Sequence, residues 1–478
     1  MMRFLVVAVL AAAASQPPYD IVIKGGRVID PETGLDAQAD VAVAGGSIAR
    51  ISKDSLSGAR VIDATGLVVA PGFIDLHSHG QDPENDRLKV LDGVTTALEL
   101  EIGYPDIGAF LAERAGKALV NYGATVSHAG VRAAVWGSAL SRGTLLPPAG
   151  AATNEPATAE QVVRIARLIR DGIAAGALGV GMGLAYTPGA TRLEVVEMFR
   201  VAADARRPVF VHVRSAGRVE PGSSIESIAE VIAAAAVTGA SLHIVHINSS
   251  GLRDAIECLR LVEGARARGL DVTTEAYPYG AGQTAVNSAL FNPGWRERLG
   301  IDYKDLQLVE TGERLTEASF NRLHALKEPK YVLLFLNPDD IVDAVIAHPL
   351  VMIASDGAIR QGTGHPRAAG TYARVLSRYV REKRTLTLMD ALRKMTLMPA
   401  QRLERATPAA RKKGRLQERA DADIVVFDPR TIADRATYES PAVPSIGVRH
   451  VLVGGAAVVR DGQVVAGVAP GQPLRGGR

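Results

Sequence analysis

The chain has 478 residues, of which 54 are basic and 51 acidic, and 47% are hydrophobic. This length is too great for one small core, so we expect a large domain and a second, smaller one. The balanced charge provides no basic stripe for nucleic acid, and the only cysteine, Cys258, excludes a disulfide within this sequence and a Cys-x-x-Cys metal site.

Residues 1–15 are typical of a secretion signal. Arg3 precedes the apolar run from Phe4 to Ala14, and small residues up to Ser15 offer a cleavage point before Gln16. The run is too short to span a bilayer as a helix of the mature protein. We therefore expect a periplasmic or secreted protein with no membrane segment in its mature form. A disordered or helical N-terminal extension is the alternative.

Both ends of the remaining chain contain short strand-like runs separated by turns. Near the start these are YDIVIKGGRVIDPETG and DVAVAGGSIARI, and near the end DADIVVFD, IGVRHVLVGGAAVV and GQVVAGV. Apolar runs bounded by Gly-rich and Pro-containing turns indicate β-strands. We predict one small β-sandwich domain that is assembled from residues 16–70 and residues 418–478.

Between these ends, strand-like runs alternate with helical patterns such as Ala159–Ala175, Ser224–Val237 and Leu252–Arg268. Strands with helices between most of them favour an α/β fold, a (β/α)8 TIM-like barrel, over an open doubly wound sheet. We place this barrel at residues 71–417, with an insertion at about 281–346 that caps its mouth. The predicted barrel strands are Gly72–His79, Val94–Ile102, Ala124–His128, Leu178–Leu184, Val209–Val213, Leu242–Ile247, Val272–Tyr277 and Val351–Ser355.

Histidines stand at the ends of several predicted barrel strands. In PGFIDLHSHG, alternation along the strand points His77 and His79 to the same face. His212 in VFVHVRS, His246 in HIVHINSSG and Asp356 in VMIASDG also stand at the carboxyl ends of strands. Active sites of this architecture lie at that face, so the five side chains are expected to converge. The pattern predicts a shared metal site.

This pattern resembles the amidohydrolase superfamily over nearly all of the chain after residue 19, including the split β domain and the opening signature VIDATGLVVAPGFIDLHSHG. The resemblance implies that His77 and His79 bind one metal ion and that His212 and His246 bind another. It also implies that Asp356 is both a metal ligand and a proton shuttle. The implied cofactor is one or two divalent ions, zinc before manganese or cobalt, although such ligands accept all three.

A site with two metals needs an anion between them, and many members of the superfamily use a carbamylated lysine on strand four. This chain has no lysine between Lys117 and Lys304. Strand two instead offers Glu99 and Glu101 on one face, in GVTTALELEIG. Two carboxylates inside a barrel are costly unless they meet cations, so we predict metal ligation. Glu101 lies nearer the carboxyl end and is the predicted bridge, with Glu99 second. The alternative is a carboxylate pair that binds arginines in the barrel.

Within the superfamily the chain is most similar to the N-acyl-D-amino-acid deacylases, which include the D-aminoacylase and N-acyl-D-glutamate deacylase branches. Four segments carry this resemblance: GALGVGMGLAYTPGA, EAYPYGAG, ASDG and GHPRAAGTYARVLSRYVRE. It implies that Arg367 of the HPR segment grips the substrate carboxylate through its planar guanidinium. It also implies that Tyr186, Tyr277 and Tyr279 line the substrate pocket, and Arg214 is a further candidate for this pocket.

Two positions depart from the D-aminoacylase pattern. A cysteine ends strand two as a ligand in D-aminoacylase, whereas the corresponding position here is about Ile102, beside Glu101. A lysine that helps to bind the substrate follows the strand-six histidine there, whereas this chain has Asn248, which we take as the substrate-binding candidate at that position. These departures predict a carboxylate bridge, and they leave room for a substrate with a different side chain.

We expect a hydrolase that cleaves N-acyl-D-amino acids, N-acyl-D-glutamate-like ones included, into a carboxylate and a free amino acid. Three alternatives stay open. They are a cyclic-amide hydrolase of the dihydroorotase or hydantoinase type, a metallo-dipeptidase or carboxypeptidase, and a periplasmic binding protein whose metal holds an acidic ligand. The expected partner is a small molecule rather than nucleic acid, and assembly into a homo-oligomer is left open.

Overall fold

The computed structural model describes residues 19–138, 140 and 145–477. The predicted signal peptide, residues 1–15, lies outside this described part. Within it, no helix is both long enough and apolar enough to cross a membrane.

In chain order, the strands are β1 (Ile21–Asp30), β2 (Leu35–Ala44), β3 (Ser47–Ser52), β4 (Arg60–Asp63), β5 (Val68–Pro71), β6 (Phe73–Asp75), β7 (Val94–Tyr104), β8 (Asn121–Ser127), β9 (Val180–Gly183), β10 (Val209–His212), β11 (Leu242–Ile244), β12 (Val272–Ala276), β13 (Ala281–Ala285), β14 (Leu306–Leu308), β15 (Tyr331–Phe335), β16 (Val351–Ile353), β17 (Ile359–Arg360), β18 (Thr363–Gly364), β19 (Ile424–Phe427), β20 (Val448–Val453), β21 (Ala456–Arg460) and β22 (Gln463–Val464).

The long helices lie mainly between barrel strands, and several begin at a side-chain cap. Thr158, Thr191 and Ser223 each accept a hydrogen bond from the backbone N–H three residues later, which stabilises a helix start. In chain order, the α-helices are α1 (Pro83–Leu91), α2 (Ile107–Arg114), α3 (His128–Val135), α4 (Ala151–Asn154), α5 (Ala159–Ala174), α6 (Arg192–Asp204), α7 (Ser224–Thr238), α8 (Ile247–Gly251), α9 (Ala255–Ala267), α10 (Trp295–Leu299), α11 (Glu317–His324), α12 (Asp339–Ala347), α13 (Arg367–Arg374), α14 (Leu388–Met395) and α15 (Leu397–Leu403).

Eight parallel strands form the barrel sheet, with β6 to β12 and then β16 paired in chain order. The last strand returns to the first, because the N–H of Asp356 donates to the carbonyl of His77 at 2.8 Å and the N–H of His79 donates to that of Gly357 at 3.1 Å. The strands are almost wholly buried, as continuous apolar runs require. The predicted (β/α)8 barrel is therefore confirmed, and each of its predicted strands forms.

A buried ion pair also ties the first strand to the last. Lys89 Nζ on α1 lies 2.7 Å from Asp75 Oδ2 and donates to Ser355 Oγ at 2.7 Å. The second oxygen of Asp75 accepts the backbone N–H groups of Ser355 at 3.0 Å and of His77 at 3.2 Å. One carboxylate thus holds the two chain segments that carry His77 and Asp356.

The second large sheet joins the two ends of the chain. Its order is β22-β21-β20-β19-β5-β1-β2-β3, with β4 paired to β1. Strand β19 from the C-terminal segment pairs antiparallel with β5 from the N-terminal one, which places Ile424 opposite Pro71. Apolar side chains from both segments, such as Val41, Val69 and Leu452, pack in one cluster. The predicted small β-sandwich domain built from both chain ends is confirmed.

In the chain, the segment between barrel strands β12 and β16 forms a three-stranded antiparallel sheet in the order β13, β15 and β14. It packs with the short helices α10 and α11 around an apolar cluster that includes Phe291, Trp295 and Phe320. These elements fall inside the insertion predicted at about 281–346. Helix α12, at the end of that range, instead packs against α9 and β16 of the barrel. The domain limits themselves stay predictions.

Candidate metal centre and substrate pocket

The predicted metal ligands meet at one rim of the barrel. This rim is the carboxyl end of the parallel strands, where loops of distant segments come together. His77 and His79 follow β6, Glu101 lies on β7, His212 ends β10, His246 follows β11 and Asp356 follows β16.

Two of these residues have a left-handed backbone, which residues other than glycine seldom adopt. His246 has φ 32° and Asp356 has φ 52°. Such a conformation costs about 1–3 kcal/mol and persists where the surrounding structure enforces it, often at functional sites. Both turns come just after a barrel strand, and they direct the side chains toward the other ligands.

We call the first ligand group His77, His79, Asp356 and the Oε2 atom of Glu101. The Nε2 atoms of His77 and His79 lie 3.1 Å apart. Glu101 Oε2 lies 3.1 Å from His77 Nε2 and 3.2 Å from His79 Nε2. Asp356 Oδ1 lies 3.3 Å and 3.2 Å from the same two nitrogens. Four potential ligand atoms therefore face one point.

We call the second ligand group His212, His246 and the Oε1 atom of Glu101. Glu101 Oε1 lies 2.7 Å from His212 Nδ1 and 3.0 Å from His246 Nε2. The two nitrogens are 3.1 Å apart. Because the two oxygens of one carboxylate face different groups, Glu101 lies between them; that it bridges two metal ions stays a prediction.

Glu99 has a different place. Its Oε2 lies 2.7 Å from His79 Nδ1, the ring nitrogen that faces away from the first ligand group. Its Oε1 accepts the backbone N–H groups of Ile102 at 3.2 Å and Gly103 at 3.3 Å. Glu99 therefore supports a ligand rather than bridging the two groups. The alternative that both carboxylates bind arginines in the barrel is wrong, since both face histidines.

The spacing of the first group fits a metal ion. Zinc bound at about 2.0–2.1 Å in a tetrahedron separates its ligand atoms by about 3.3 Å. Five of the six separations within the first group, those that involve a histidine nitrogen, run from 3.1 to 3.3 Å. Imidazole nitrogens and carboxylate oxygens also suit zinc, manganese and cobalt. The residues present thus fit the divalent cofactor that the sequence predicts.

Glu275 and His243 were not predicted from the sequence, and they lie beneath the ligands inside the barrel. Glu275 Oε1 lies 2.6 Å from His77 Nδ1, and its Oε2 lies 3.2 Å from His243 Nε2. Burial raises the pKa of Glu275, but its close contacts with His243 and His77 outweigh burial and lower the pKa to about 2. The available signal was a glutamate inside the otherwise uncharged strand VTTEA, directly before the YPY segment.

The ligands open into a cavity of about 240 Å³. His79, His212 and Asp356 line it on the rim side. Tyr186, Tyr277 and Arg367 also line it, as the sequence predicts. The apolar wall on the side of the inserted sheet includes Leu290, Leu299, Leu334 and Leu336.

Three residues predicted to contact the substrate lie elsewhere. Arg214 forms an ion pair with Glu230 at 2.7 Å and lines a separate groove. Tyr279 packs under the guanidinium of Arg374, 4.7 Å from its ring centre. Asn248 is buried and donates to the carbonyl of Tyr277 at 3.3 Å. The expectation of direct contact is therefore corrected for all three, because neighbouring charged or backbone groups hold them outside the cavity lining.

Arg367 is buried beside the metal ligands. Its Nη1 lies 2.8 Å from Asp356 Oδ2, and its guanidinium stands 4.4 Å from the ring centre of Tyr277. Beyond this ion pair, neither Nη1 nor Nε has a hydrogen-bond partner among the described residues. Burial raises the pKa of Asp356, but the charges of Arg367 and His77 outweigh burial and hold the pKa well below its usual range. Asp356 is therefore an ionised acceptor.

Comparison with known proteins agrees with this geometry. The sequence profile of the amidohydrolase family matches residues 60–459. The N-acyl-D-glutamate deacylase of Alcaligenes xylosoxydans xylosoxydans is 32% identical, over 96% of this chain and 97% of that protein. The D-aminoacylase of the same organism is 30% identical, over 96% of this chain and 98% of that protein.

A solved structure shows the same overall similarity. The N-acyl-D-glutamate deacylase of Bordetella bronchiseptica, complexed with zinc and a phosphonate inhibitor that mimics the tetrahedral intermediate, matches with a TM-score of 0.79 and 30% identity, over 96% of this chain and 99% of that one. Because the profile and the relatives span nearly the whole described chain, the protein belongs to the amidohydrolase family, among the N-acyl-D-amino-acid deacylases.

Proposed function

We propose that the protein is a metal-dependent hydrolase that cleaves the amide bond of N-acyl-D-amino acids, including N-acyl-D-glutamate-like ones, to a carboxylate and a free amino acid. The observation that carries this proposal is a buried arginine, Arg367, whose Nε and Nη1 have no hydrogen-bond partner among the described residues, beside the convergent metal ligands. A guanidinium with unused N–H groups is a suitable partner for a carboxylate. An N-acyl amino acid carries a carboxylate next to its amide bond.

The proposed cofactor is one or two zinc ions held by the two ligand groups. A bound divalent ion polarises an amide carbonyl and lowers the pKa of water, which supplies a nucleophile near neutral pH. The chain itself orders the substrate, because Arg367 would hold the carboxylate and fix the amide against the rim. The relatives named above, an N-acyl-D-glutamate deacylase and a D-aminoacylase, support the same substrate class.

Asp356 is the proposed proton carrier. Its Oδ1 faces the imidazoles of the first ligand group and its Oδ2 faces Arg367. The charges of Arg367 and His77 lower the pKa of this carboxylate against burial and keep it ionised, which is the form that can accept a proton from the attacking water. It would then return the proton to the leaving amine, which becomes the free amino group of the product.

We also propose that the chain is exported. The support is the sequence alone: Arg3, the apolar run from Phe4 to Ala14, and the small residues before Gln16. This proposal is independent of the chemistry at the barrel rim.

A substrate panel tests the proposed activity. Purified protein loaded with zinc should hydrolyse N-acetyl-D-amino acids with a kcat/KM of about 10⁴ M⁻¹ s⁻¹ or more for its best substrate, and should prefer D over L forms. Amino-group release is the measurement, with dipeptides, dihydroorotate and hydantoin as competing substrates. Turnover of the cyclic amides or dipeptides without turnover of any acyl amino acid would refute the deacylase proposal. Absence of all turnover would favour a binding protein.

Replacement of the proton carrier should remove catalysis. Asp356→Asn is expected to lower kcat by about 10²–10⁴-fold, because general acid–base catalysis contributes that much. Steady-state kinetics at saturating zinc measures the effect, and Glu230→Gln, outside the cavity lining, is the control. A kcat for Asp356→Asn within tenfold of the wild-type value would contradict the role.

Replacement of Arg367 should weaken recognition of a carboxylate. Hydrogen bonds to charged groups contribute about 1.5–3 kcal/mol, so Arg367→Met is expected to raise KM for the best substrate about 10–150-fold. The corresponding N-acyl amino-acid amide, which lacks the carboxylate, should respond much less. Arg214→Met is the matched control, since that arginine pairs with Glu230 outside the cavity. Equal losses with both substrates would contradict the carboxylate contact.

Export is tested by fractionation. In a Gram-negative host, the full chain is expected in the periplasmic fraction with an N-terminus at Gln16, because a signal peptidase removes residues 1–15. A version that lacks residues 1–15 should stay in the cytoplasm. Recovery of the full chain in the cytoplasm with Met1 intact would contradict export.

A further inference from the structure

We propose that the free edge of strand β13 is a subsite of the substrate cavity, where it pairs with a short peptide in the acyl group of the substrate. The preferred substrates are then peptides with a D-amino acid at the carboxyl end. Water cleaves the last amide bond of such a peptide, which gives a shortened peptide with a new carboxylate and the free D-amino acid. This inference rests on the proposed function and names the acyl group that the cavity takes.

The register of the inserted sheet leaves one edge of β13 without a partner strand. Among the strands that the structure describes, β13 pairs only with β15, and the two are antiparallel. The N–H of Val286 donates to the carbonyl of Lys330 at 2.8 Å, which fixes the alternation of the ladder. Every second residue of an antiparallel pair bonds to the partner strand, so Gly282 and Thr284 bond to β15 while the N–H and C=O of Gln283 point away from it.

Gln283 therefore offers a free donor and a free acceptor. Among the described residues, neither its backbone N–H nor its carbonyl has a hydrogen-bond partner, and the residue is only half-buried. Gly282, Gln283, Thr284 and Ala285 all line the substrate cavity. An extended peptide that adds a strand to a sheet forms two hydrogen bonds with a residue of this kind.

The free edge begins beside the arginine that is proposed to bind the substrate carboxylate. His365 Nε2 donates to the carbonyl of Ala281 at 3.0 Å, and His365 Nδ1 accepts the backbone N–H of Arg367 at 3.0 Å. The ring of His365 is fully buried, so these two bonds are shielded from water. One imidazole thus fixes the first residue of β13 against the segment that carries Arg367.

From this point β13 runs along the ligand rim. A β-carbon added to Gly282 would lie 3.4 Å from the hydroxyl of Tyr277, whose ring packs against Arg367. Further along the strand, Thr284 donates to the hydroxyl of Tyr186 at 3.2 Å. Tyr186 in turn packs against an imidazole of the second ligand group, with the ring centres 4.9 Å apart. The strand therefore extends from the carboxylate end of the cavity toward the metal ligands.

The spacing along the strand selects the substrate residue that reaches Gln283. Two residues of an extended strand span about 6.8 Å, which is the expected separation of Gln283 from Ala281. A substrate whose carboxylate lies at Arg367, beside Ala281, then places at Gln283 the residue two positions before its last residue. That residue lies beyond the carbonyl that is cleaved, so its own N–H and C=O are both available for pairing.

A substrate series on the zinc-loaded full chain tests the inference. The N-acetyl, N-acetylglycyl and N-acetylglycylglycyl derivatives are made of the D-amino acid that the panel ranks best. Only the last of them places a complete residue at Gln283. Its kcat/KM should exceed that of the N-acetyl compound about 5–150-fold, as two hydrogen bonds of ordinary strength provide. An ester oxygen in place of the N–H of the acetylated glycine should remove about 2–10-fold of this advantage.

Gln283→Pro tests the contact from the side of the protein. Proline removes an N–H that the sheet itself does not use, and edge strands tolerate proline at such positions. The ratio of kcat/KM for the longest compound to that for the N-acetyl compound should fall about 2–10-fold. Gln283→Ala is the matched control, since it removes the side chain, retains the N–H and should keep the ratio. Because both substrates are measured on each variant, a general loss of activity cancels.

Equal kcat/KM values for the shortest and longest compounds on the wild type would overturn the inference and leave the deacylase proposal intact. So would an ester as good as the amide, or a ratio that falls in Gln283→Ala as much as in Gln283→Pro. Circular dichroism identifies a proline variant that fails to fold, in which case the ester comparison decides. If no acyl amino acid is hydrolysed, the proposed function fails, and calorimetry with the same compounds tests the edge: equal affinities would overturn the inference.

Discussion

The site depends on one buried carboxylate, that of Glu101, which faces imidazoles on both sides. Its two oxygens lie 2.7–3.2 Å from nitrogens of His77, His79, His212 and His246. Burial raises the pKa of Glu101, but the charge of His77 and hydrogen bonds from His212 and His246 outweigh burial and hold the pKa well below its usual range. A buried anion persists only where cations or donors surround it. Without this carboxylate, the second ligand group would lose its anion, and the first would keep only that of Asp356.

Such a carboxylate needs a rigid frame, and the barrel supplies it through its closure. The strands that carry His77 and Asp356 are the first and the last of the barrel, and contacts between their segments hold them together. These contacts are backbone hydrogen bonds and the buried group of Asp75, Lys89 and Ser355. Removal of one partner from a buried pair leaves an uncompensated charge, which typically costs about 3–5 kcal/mol. The contacts that close the barrel therefore also hold the segments of His77 and Asp356 in place.

Sequence patterns predicted the barrel strands and the metal ligands. They did not predict where side chains in the segments after the strands would point. Buried parallel strands are continuous apolar runs, and the His77-Ser78-His79 spacing follows from strand alternation, so both are local signals. Arg214, Tyr279 and Asn248 lie in connecting segments, where the backbone path decides the direction of a side chain. Glu275 was missed for the opposite reason: its partner His77 is 198 positions away, and no local pattern encodes that contact.

The metal ligands and the apolar wall of the cavity come from different parts of the chain. The rim of the barrel carries the ligands and Arg367, whereas leucines from the inserted segment form an apolar wall of the same cavity. Asn248, where D-aminoacylase has a lysine, holds the backbone of Tyr277, so this position adds no positive charge to the cavity. The other cations on the cavity are Lys327 and Arg360, both solvent-exposed. The cavity therefore combines the metal ligands with an apolar wall and with cations that come from outside the ligand set.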